Sequence, residues 1–313
     1  MDNLKKKFRP PDIALLIYIL TQFLFISLFM TGKPGWYFFL MFYAAAAAIA
    51  VIFALFPLRE AGIFWRALRM TYPFFLIIFF YEAVGPQVSM IFKQPFDGRI
   101  VALENMIFGA DPAFAIQRYM EIWLNELMSF AYISYYFIIP AAAIILIVKK
   151  RWISLERLTL AISIAFYLSY LMFIIFPVVG PRFYLADHYY LPLIGPVFAS
   201  LAKVIVDYGG FYGGAMPSSH CAVTLVAVGI LSREIRKLRL ILIAFLALLC
   251  ASTVYGRYHY LSDVVMGLAV GWLALKLSKA WLNGYLSGIN GKTGEQSFFD
   301  HEAVEIAQEQ DKS

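Results

Sequence analysis

Two histidines and one aspartate have the residue types and the spacing for nucleophilic and acid–base chemistry. His220 closes the stretch "GGAMPSSH", which runs directly into an apolar segment. Proline and serine before an apolar run predict the start of a helix. The free backbone N–H groups at a helix start can bind an anion. We therefore predict that Ser218 and Ser219 help to hold a phosphate beside His220.

The second histidine lies in "HYLSD", where His259 and Asp263 are four residues apart. On a helix this spacing puts both side chains on one face. The aspartate can then accept a hydrogen bond from one imidazole nitrogen and leave the other nitrogen free to attack. Arg182, in "GPRF", adds a planar cation suited to phosphate. This set suits phosphoryl transfer through a covalent phosphohistidine.

Each feature also has a simpler interpretation. "PSSH" is an ordinary helix start, "HxxxD" an ordinary helix-surface pair, and "GPR" an ordinary turn. Two histidines and a carboxylate could instead bind a metal, but the anion-binding features would then be incidental. We therefore predict no metal and no cofactor. Arg257 either contacts the phosphate or anchors its loop at the lipid headgroups.

The composition predicts which elements position these residues. Of the 313 residues, 62% are hydrophobic and 15% are charged, and the mean hydropathy is +0.73. Soluble domains contain about 25% charged residues, so we predict an all-α, polytopic transmembrane bundle. The net charge of +6 needs no nucleic-acid partner. Stretches long enough to cross a bilayer predict eight spans, at residues 13–30, 36–57, 70–85, 127–148, 158–178, 218–232, 240–256 and 261–281.

The basic residues predict the orientation of this layout. With the N-terminus in the cytoplasm, 19 of the 26 Lys and Arg residues fall on the cytoplasmic side, as the positive-inside rule requires. Both termini are then cytoplasmic, and Arg182, His220, His259 and Asp263 share the extracytoplasmic face. Ionisable residues at membrane depth are costly and usually functional, so we predict one site on that face.

The organisation that follows has three parts. Residues 1–69 form an N-terminal two-span extension, and residues 70–282 form a six-span catalytic core. Within the core, residues 86–126 are expected to be interfacial amphipathic helices, and residues 179–217 a structured cap over the outer face. Residues 283–313 are polar and are expected to be a disordered tail.

These motifs resemble the type 2 phosphatidic acid phosphatase superfamily over about residues 177–267. Its second motif resembles "PSSH", Pro217 to His220, and its third motif ends as "HYLSD" does. The resemblance implies that His259 is the nucleophile, Asp263 its orienting partner and His220 the general acid for the leaving group. It also implies a six-helix core, here with two extra N-terminal spans.

The sequence departs from the family pattern at two basic positions. Thr253 stands where the third motif has an arginine, and Ile175 where the first motif has a lysine. The stretch "STVYGRYHY" is similar to the third motif of the branch that contains inositol phosphorylceramide synthases. In that branch the third-motif arginine is not strictly required. The acceptor therefore stays open, because either water or an alcohol can resolve a phosphohistidine.

The resulting expectation is an enzyme in a bacterial inner membrane or plasma membrane. It would hydrolyse a phosphomonoester or pyrophosphate lipid at the extracytoplasmic face, with membrane lipids as its surroundings. Two alternatives remain: a lipid phosphotransferase that moves a phospho-head group to a lipid alcohol, and a non-catalytic transporter or binding protein. The sequence does not specify the lipid or the oligomeric state.

Overall fold

The computed structural model describes residues 8–56 and 62–290, and the regular elements in these ranges are helices, as predicted. They are α1 Pro10–Phe29, α2 Trp36–Leu55, α3 Ile63–Val84, α4 Asp97–Phe108, α5 Pro112–Ile116, α6 Ile122–Ile133, α7 Tyr135–Val148, α8 Trp152–Ile175, α9 Pro181–Tyr184, α10 Phe198–Gly209, α11 Ser219–Glu234, α12 Arg239–Tyr255 and α13 Leu261–Asn290. Four short 3₁₀ turns connect some of them.

Six helical segments of the described chain are long and apolar enough to cross a membrane. They are Pro10–Phe29, Trp36–Leu55, Ile63–Gln87, Trp152–Ile175, Arg236–Tyr255 and Leu261–Ser287. A seventh results if α6 and α7 form one broken span. The chain is thus a polytopic helical membrane protein, as predicted. The predicted span 218–232 does form α11, but its 16 residues fall below the usual length of about 17–25.

The predicted span 127–148 is not one straight helix. It forms α6 and α7, which are bent by 43° around Ser134. The Ser134 hydroxyl donates a hydrogen bond to the Ala131 carbonyl over 2.5 Å, a type of back-bonding that bends helices. Pro140, inside α7, has no backbone N–H to donate to the preceding turn. A side-chain hydrogen bond to the backbone and a proline therefore interrupt a segment whose composition predicts one continuous span.

The chain divides into two compact units. Of the described residues, the first unit contains 8–56, 62–80, 142–164 and 274–290, and the second contains Tyr81–Ala141 and Ala165–Leu273. The predicted boundary between an extension and a core at residue 70 stays a prediction. Helix α13 continues to Asn290, so the first eight residues of the predicted tail are helical. The rest of that tail lies outside the described residues.

The first unit contains a buried network of two cations and two carboxylates. Both nitrogens at the end of the Arg69 guanidinium donate to the Asp12 carboxylate, over 2.8 and 2.6 Å. Arg9 donates to Glu156 over 2.6 Å, and the Tyr72 hydroxyl donates to Asp12 over 2.7 Å. The charges balance, which is the condition under which ionised groups are tolerated in an interior.

In the second unit, two glycines allow α13 to approach α11 closely. A Cβ at Gly267 would overlap the Ser218 carbonyl, and one at Gly271 would overlap the Ala222 carbonyl. Small residues four apart permit this approach of membrane helices. The start of α11, with its histidine, is thereby held against the start of α13.

The two long loops of the second unit are partly helical. Residues 86–126 contain α4 and α5, and residues 179–217 contain α9 and α10. The Phe96 N–H of the first loop donates to the Pro177 carbonyl, just before the second loop, over 2.8 Å. Their expected positions at the membrane interface and over the outer face stay predictions.

Candidate active site

His220 lies in the first turn of α11, as its sequence context predicted. Ser218 is the N-cap residue, and its hydroxyl accepts a hydrogen bond from the Cys221 N–H over 3.4 Å. This cap satisfies one of the free donors of the helix start. Two tyrosine rings surround the imidazole, with centroid distances of 5.1 Å to Tyr132 and 4.3 Å to Tyr135. The ring is therefore confined beside the positive end of a helix.

The two ring nitrogens of His259 have different partners. Nδ1 lies 2.8 Å from the Ala215 carbonyl oxygen, and Nε2 lies 3.3 Å from Nδ1 of His220. Because a carbonyl can only accept, the proton is assigned to Nδ1 of a neutral His259. The lone pair of Nε2 then points toward His220. The structure thus brings together the two histidines, which are 39 residues apart in the sequence.

Asp263 reaches His259 by a route that differs from the predicted shared helix face. Helix α13 begins at Leu261, so His259 precedes the helix and the prediction of a common face was wrong. The Asp263 carboxylate instead folds back over the helix start, where Oδ2 accepts the Tyr260 N–H over 2.9 Å. The same oxygen lies 3.6 Å from His259 Nδ1, longer than a hydrogen bond.

A backbone contact joins the two histidine motifs. The Ser218 N–H donates to the Asp263 carbonyl over 2.9 Å. Ser218, Ser219 and Asp263 are all buried, and Ser219 is the first residue of α11. The helix start predicted to bind an anion is therefore fixed directly to the element that carries the aspartate.

The two predicted phosphate-binding arginines meet through their backbones, where the Arg182 N–H donates to the Arg257 carbonyl over 2.9 Å. Their side chains have other partners. Arg182 donates to Asp207 over 2.7 Å. Arg257 donates to the Leu191 carbonyl over 2.7 Å, and its guanidinium lies 4.2 Å from the centre of the Tyr189 ring. Burial lowers the pKa of Arg257. This cation is more deeply buried than Arg182.

Two acidic residues near the site were not predicted. Asp97 is fully buried and accepts three hydrogen bonds, one of them from the Tyr260 hydroxyl over 3.0 Å. Glu104 accepts from the Ser262 N–H and hydroxyl, over 2.6 and 2.8 Å, and burial raises its pKa. The only sequence signal was that both are among the few acids of an apolar chain and lie within the predicted interfacial segment 86–126.

The arrangement combines an unprotonated imidazole nitrogen, a second imidazole at hydrogen-bond distance and a helix start. These are the parts of nucleophilic catalysis with a general acid. Within residues 8–56 and 62–290, no three His, Cys, Asp or Glu side chains form a group that could hold a metal ion.

Comparison with known proteins shows the family to which the chain belongs. The family model described as the PAP2 superfamily matches residues 99–277. This range covers more than half of the chain and contains both histidines, Asp263 and both arginines. No curated protein and no solved structure matches the chain. The chain belongs to the PAP2 superfamily, which generally catalyses phosphoryl transfer or hydrolysis.

Proposed function

We propose that this protein is a lipid-phosphate phosphatase that works through a phosphohistidine on His259. One observation carries the proposal: Nδ1 of His259 is held at 2.8 Å by the Ala215 carbonyl, while Nε2 faces His220 at 3.3 Å. A histidine held in this way presents a nucleophilic nitrogen in one tautomer. A proton donor stands directly in front of that nitrogen.

The proposed reaction has two steps that exchange one proton. Nε2 of His259 attacks phosphorus, the bond from phosphorus to the lipid oxygen breaks, and the His220 imidazolium protonates the departing oxygen. Water then attacks phosphorus, the phosphorus–nitrogen bond breaks, and the water proton passes to His220. The substrate phosphate enters between the two rings, so their direct contact must open. Its negative charge stabilises the imidazolium of His220.

The start of α11 is the proposed cradle for the phosphoryl oxygens. Ser218 and Ser219 stand where free backbone N–H groups and the helix dipole favour an anion. Arg182 and Arg257 are the proposed cations, and each must exchange a present partner for the phosphate. Arg182 is the more accessible of the two, with 25% of its side chain exposed.

The apolar surroundings support a lipid as the substrate class. A phosphate at the site belongs to an amphiphile whose tail lies among apolar helices, so a phosphomonoester or pyrophosphate lipid fits. The distribution of basic residues supports a site on the extracytoplasmic face and cytoplasmic termini. A substrate that cannot cross membranes should then react in right-side-out vesicles. Reaction only in inverted vesicles would contradict this orientation.

A second candidate is a phosphotransferase similar to the inositol phosphorylceramide synthase branch. The observation that favours it is Thr253, which replaces the third-motif arginine. Thr253 is fully buried, and its hydroxyl donates to the Cys250 carbonyl over 2.8 Å and lies 3.9 Å from the Cys221 sulfur. The position therefore adds no positive charge for phosphate, as in a branch that relaxes this arginine.

One experiment separates these functions. The purified protein is incubated with labelled lipid phosphates, with and without alcohol acceptors, and both free phosphate and new lipid products are measured. Phosphate release without an acceptor supports the phosphatase, and a phosphorylated acceptor supports the transferase. If substrate binds but neither product forms, the protein is a transporter or binding protein and the proposal is wrong.

A further inference from the structure

We propose that Asp97 is a positioning residue that holds the His259 ring from two sides, an inference that rests on the proposed role of His259 as nucleophile. Asp97 is the first residue of α4 and is fully buried. In the described chain its carboxylate forms no ion pair, and its three partners are all neutral donors. A buried carboxylate with only neutral partners is costly, so its position requires a reason.

The first side runs through the loop that precedes Arg182. Asp97 accepts hydrogen bonds from the N–H groups of Val179 and Gly180, over 2.8 and 2.9 Å. The adjoining Val178 carbonyl accepts from the Ala215 N–H over 2.8 Å. The Ala215 carbonyl in turn accepts from Nδ1 of His259. Asp97 thus fixes the Val178–Val179 peptide, which holds Ala215, and the Ala215 carbonyl holds the proton on Nδ1 of His259.

The second side runs through Tyr260. Its hydroxyl donates to Asp97 over 3.0 Å, and its backbone N–H donates to Asp263 Oδ2 over 2.9 Å. Tyr260 directly follows His259 and is 1% exposed. Its ring therefore ties the backbone beside the nucleophile to the same carboxylate, 163 residues away in the sequence.

The geometry needs a carboxylate and not an amide. Oδ1 accepts from the Gly180 N–H and the Tyr260 hydroxyl, and Oδ2 accepts from the Val179 N–H. An asparagine has one acceptor oxygen and one donor nitrogen. Its NH₂ group would face at least one N–H or O–H donor. Asp97→Asn therefore keeps the shape of the side chain but removes at least one hydrogen bond that positions His259.

The test measures kcat and KM of Asp97→Asn on a lipid phosphate. A misplacement of about 1 Å costs about 10²-fold in rate, so we expect kcat to fall by about 10²-fold with KM changed less than threefold. The matched control is Asp187→Asn, the same chemical change at an exposed aspartate. Tyr260→Phe removes one contact and should lower kcat by about tenfold or less. It serves as the test if Asp97→Asn does not fold.

A second readout does not depend on turnover. The chain has four histidines, so ¹⁵N-histidine labelling gives few signals, and His259→Gln assigns the one of interest. We expect the unmutated protein and Asp187→Asn to carry the His259 proton on Nδ1. Asp97→Asn should show a mixture of tautomers. Normal kcat together with an unchanged His259 signal would overturn the role of Asp97. An inactive unmutated protein whose His259 signal still responds to Asp97→Asn would instead overturn the proposed function.

Discussion

The Arg182 guanidinium donates to the Asp207 carboxylate over 2.7 Å, and Lys203 pairs with the other oxygen of that carboxylate. A side chain proposed to bind phosphate is therefore already engaged with an anion from α10. Asp207 is 37% exposed, and exposed ion pairs are weak and sensitive to salt. A substrate phosphate can consequently displace this carboxylate.

We predict that Asp207→Asn lowers KM for a lipid phosphate by about 2–5-fold, as expected for loss of a weak competitor, while kcat is unchanged. Arg182→Gln should raise KM. Steady-state kinetics of both variants and of the double variant check this. If Asp207→Asn lowers KM equally in the Arg182→Gln background, the carboxylate does not act through Arg182.

The ion pair between Arg182 and Asp207 also predicts the pH range over which Asp207→Asn affects KM. The hydrogen bond from Lys203, with a smaller contribution from Arg182, lowers the pKa of Asp207. A carboxyl whose pKa is lowered on folding keeps its ion pair above its ordinary pKa and loses it as pH falls through the lowered value. The KM difference of Asp207→Asn should therefore be constant from pH 5 to 8, within the range where both groups are charged.

Asp263→Asn tests how the His259 tautomer is maintained. The Ala215 carbonyl lies 2.8 Å from Nδ1, closer than Asp263 at 3.6 Å. We therefore expect kcat to fall by about 10–100-fold, less than the roughly 10⁴-fold loss in a serine-protease triad. His259→Ala should show no turnover. Equal losses in the two variants would mean that the carbonyl does not maintain the tautomer.

His220→Ala tests the general acid. Protonation of a leaving group contributes about 10²–10⁴-fold, and it matters most for a poor leaving group. We predict a severe loss on alkyl phosphates and a smaller loss on nitrophenyl phosphate. Rate ratios for the two substrates check this. Equal losses would assign His220 to phosphate binding alone.

Metal dependence is predicted to be absent, because the proposed mechanism uses an imidazole nucleophile and an anion-binding helix start. Activity should survive thorough chelation, and vanadate should inhibit as a mimic of the transferring phosphoryl group. Loss of activity in EDTA, with recovery on addition of zinc or manganese, would support a site built from two histidines and a carboxylate.

Asp12→Asn tests the buried network of the first unit. Asp12 accepts from Arg69 and Tyr72 and is fully buried. Removing one charge of a buried pair costs about 3–5 kcal/mol, so the unfolding temperature in detergent should fall by several degrees. Asp187→Asn, at an exposed position, is the control. An unchanged unfolding temperature would show that the network contributes little.

The sequence determined the all-α membrane fold, because long apolar runs can satisfy their backbone groups in a bilayer only as helices. It also located the start of α11, since proline, serine and an apolar run are local signals. The sequence shows the "GLAVG" spacing of Gly267 and Gly271. It does not show which helix packs against these glycines.

The tertiary structure alone decided how the site is assembled. It placed His259 before α13, held its Nδ1 with the Ala215 carbonyl and joined Asp97 to Tyr260. These contacts depend on backbone conformation in loops and on partners up to 163 residues apart. Residue types and local spacing carry little information about either, because a backbone carbonyl has no side-chain identity to signal where it will point.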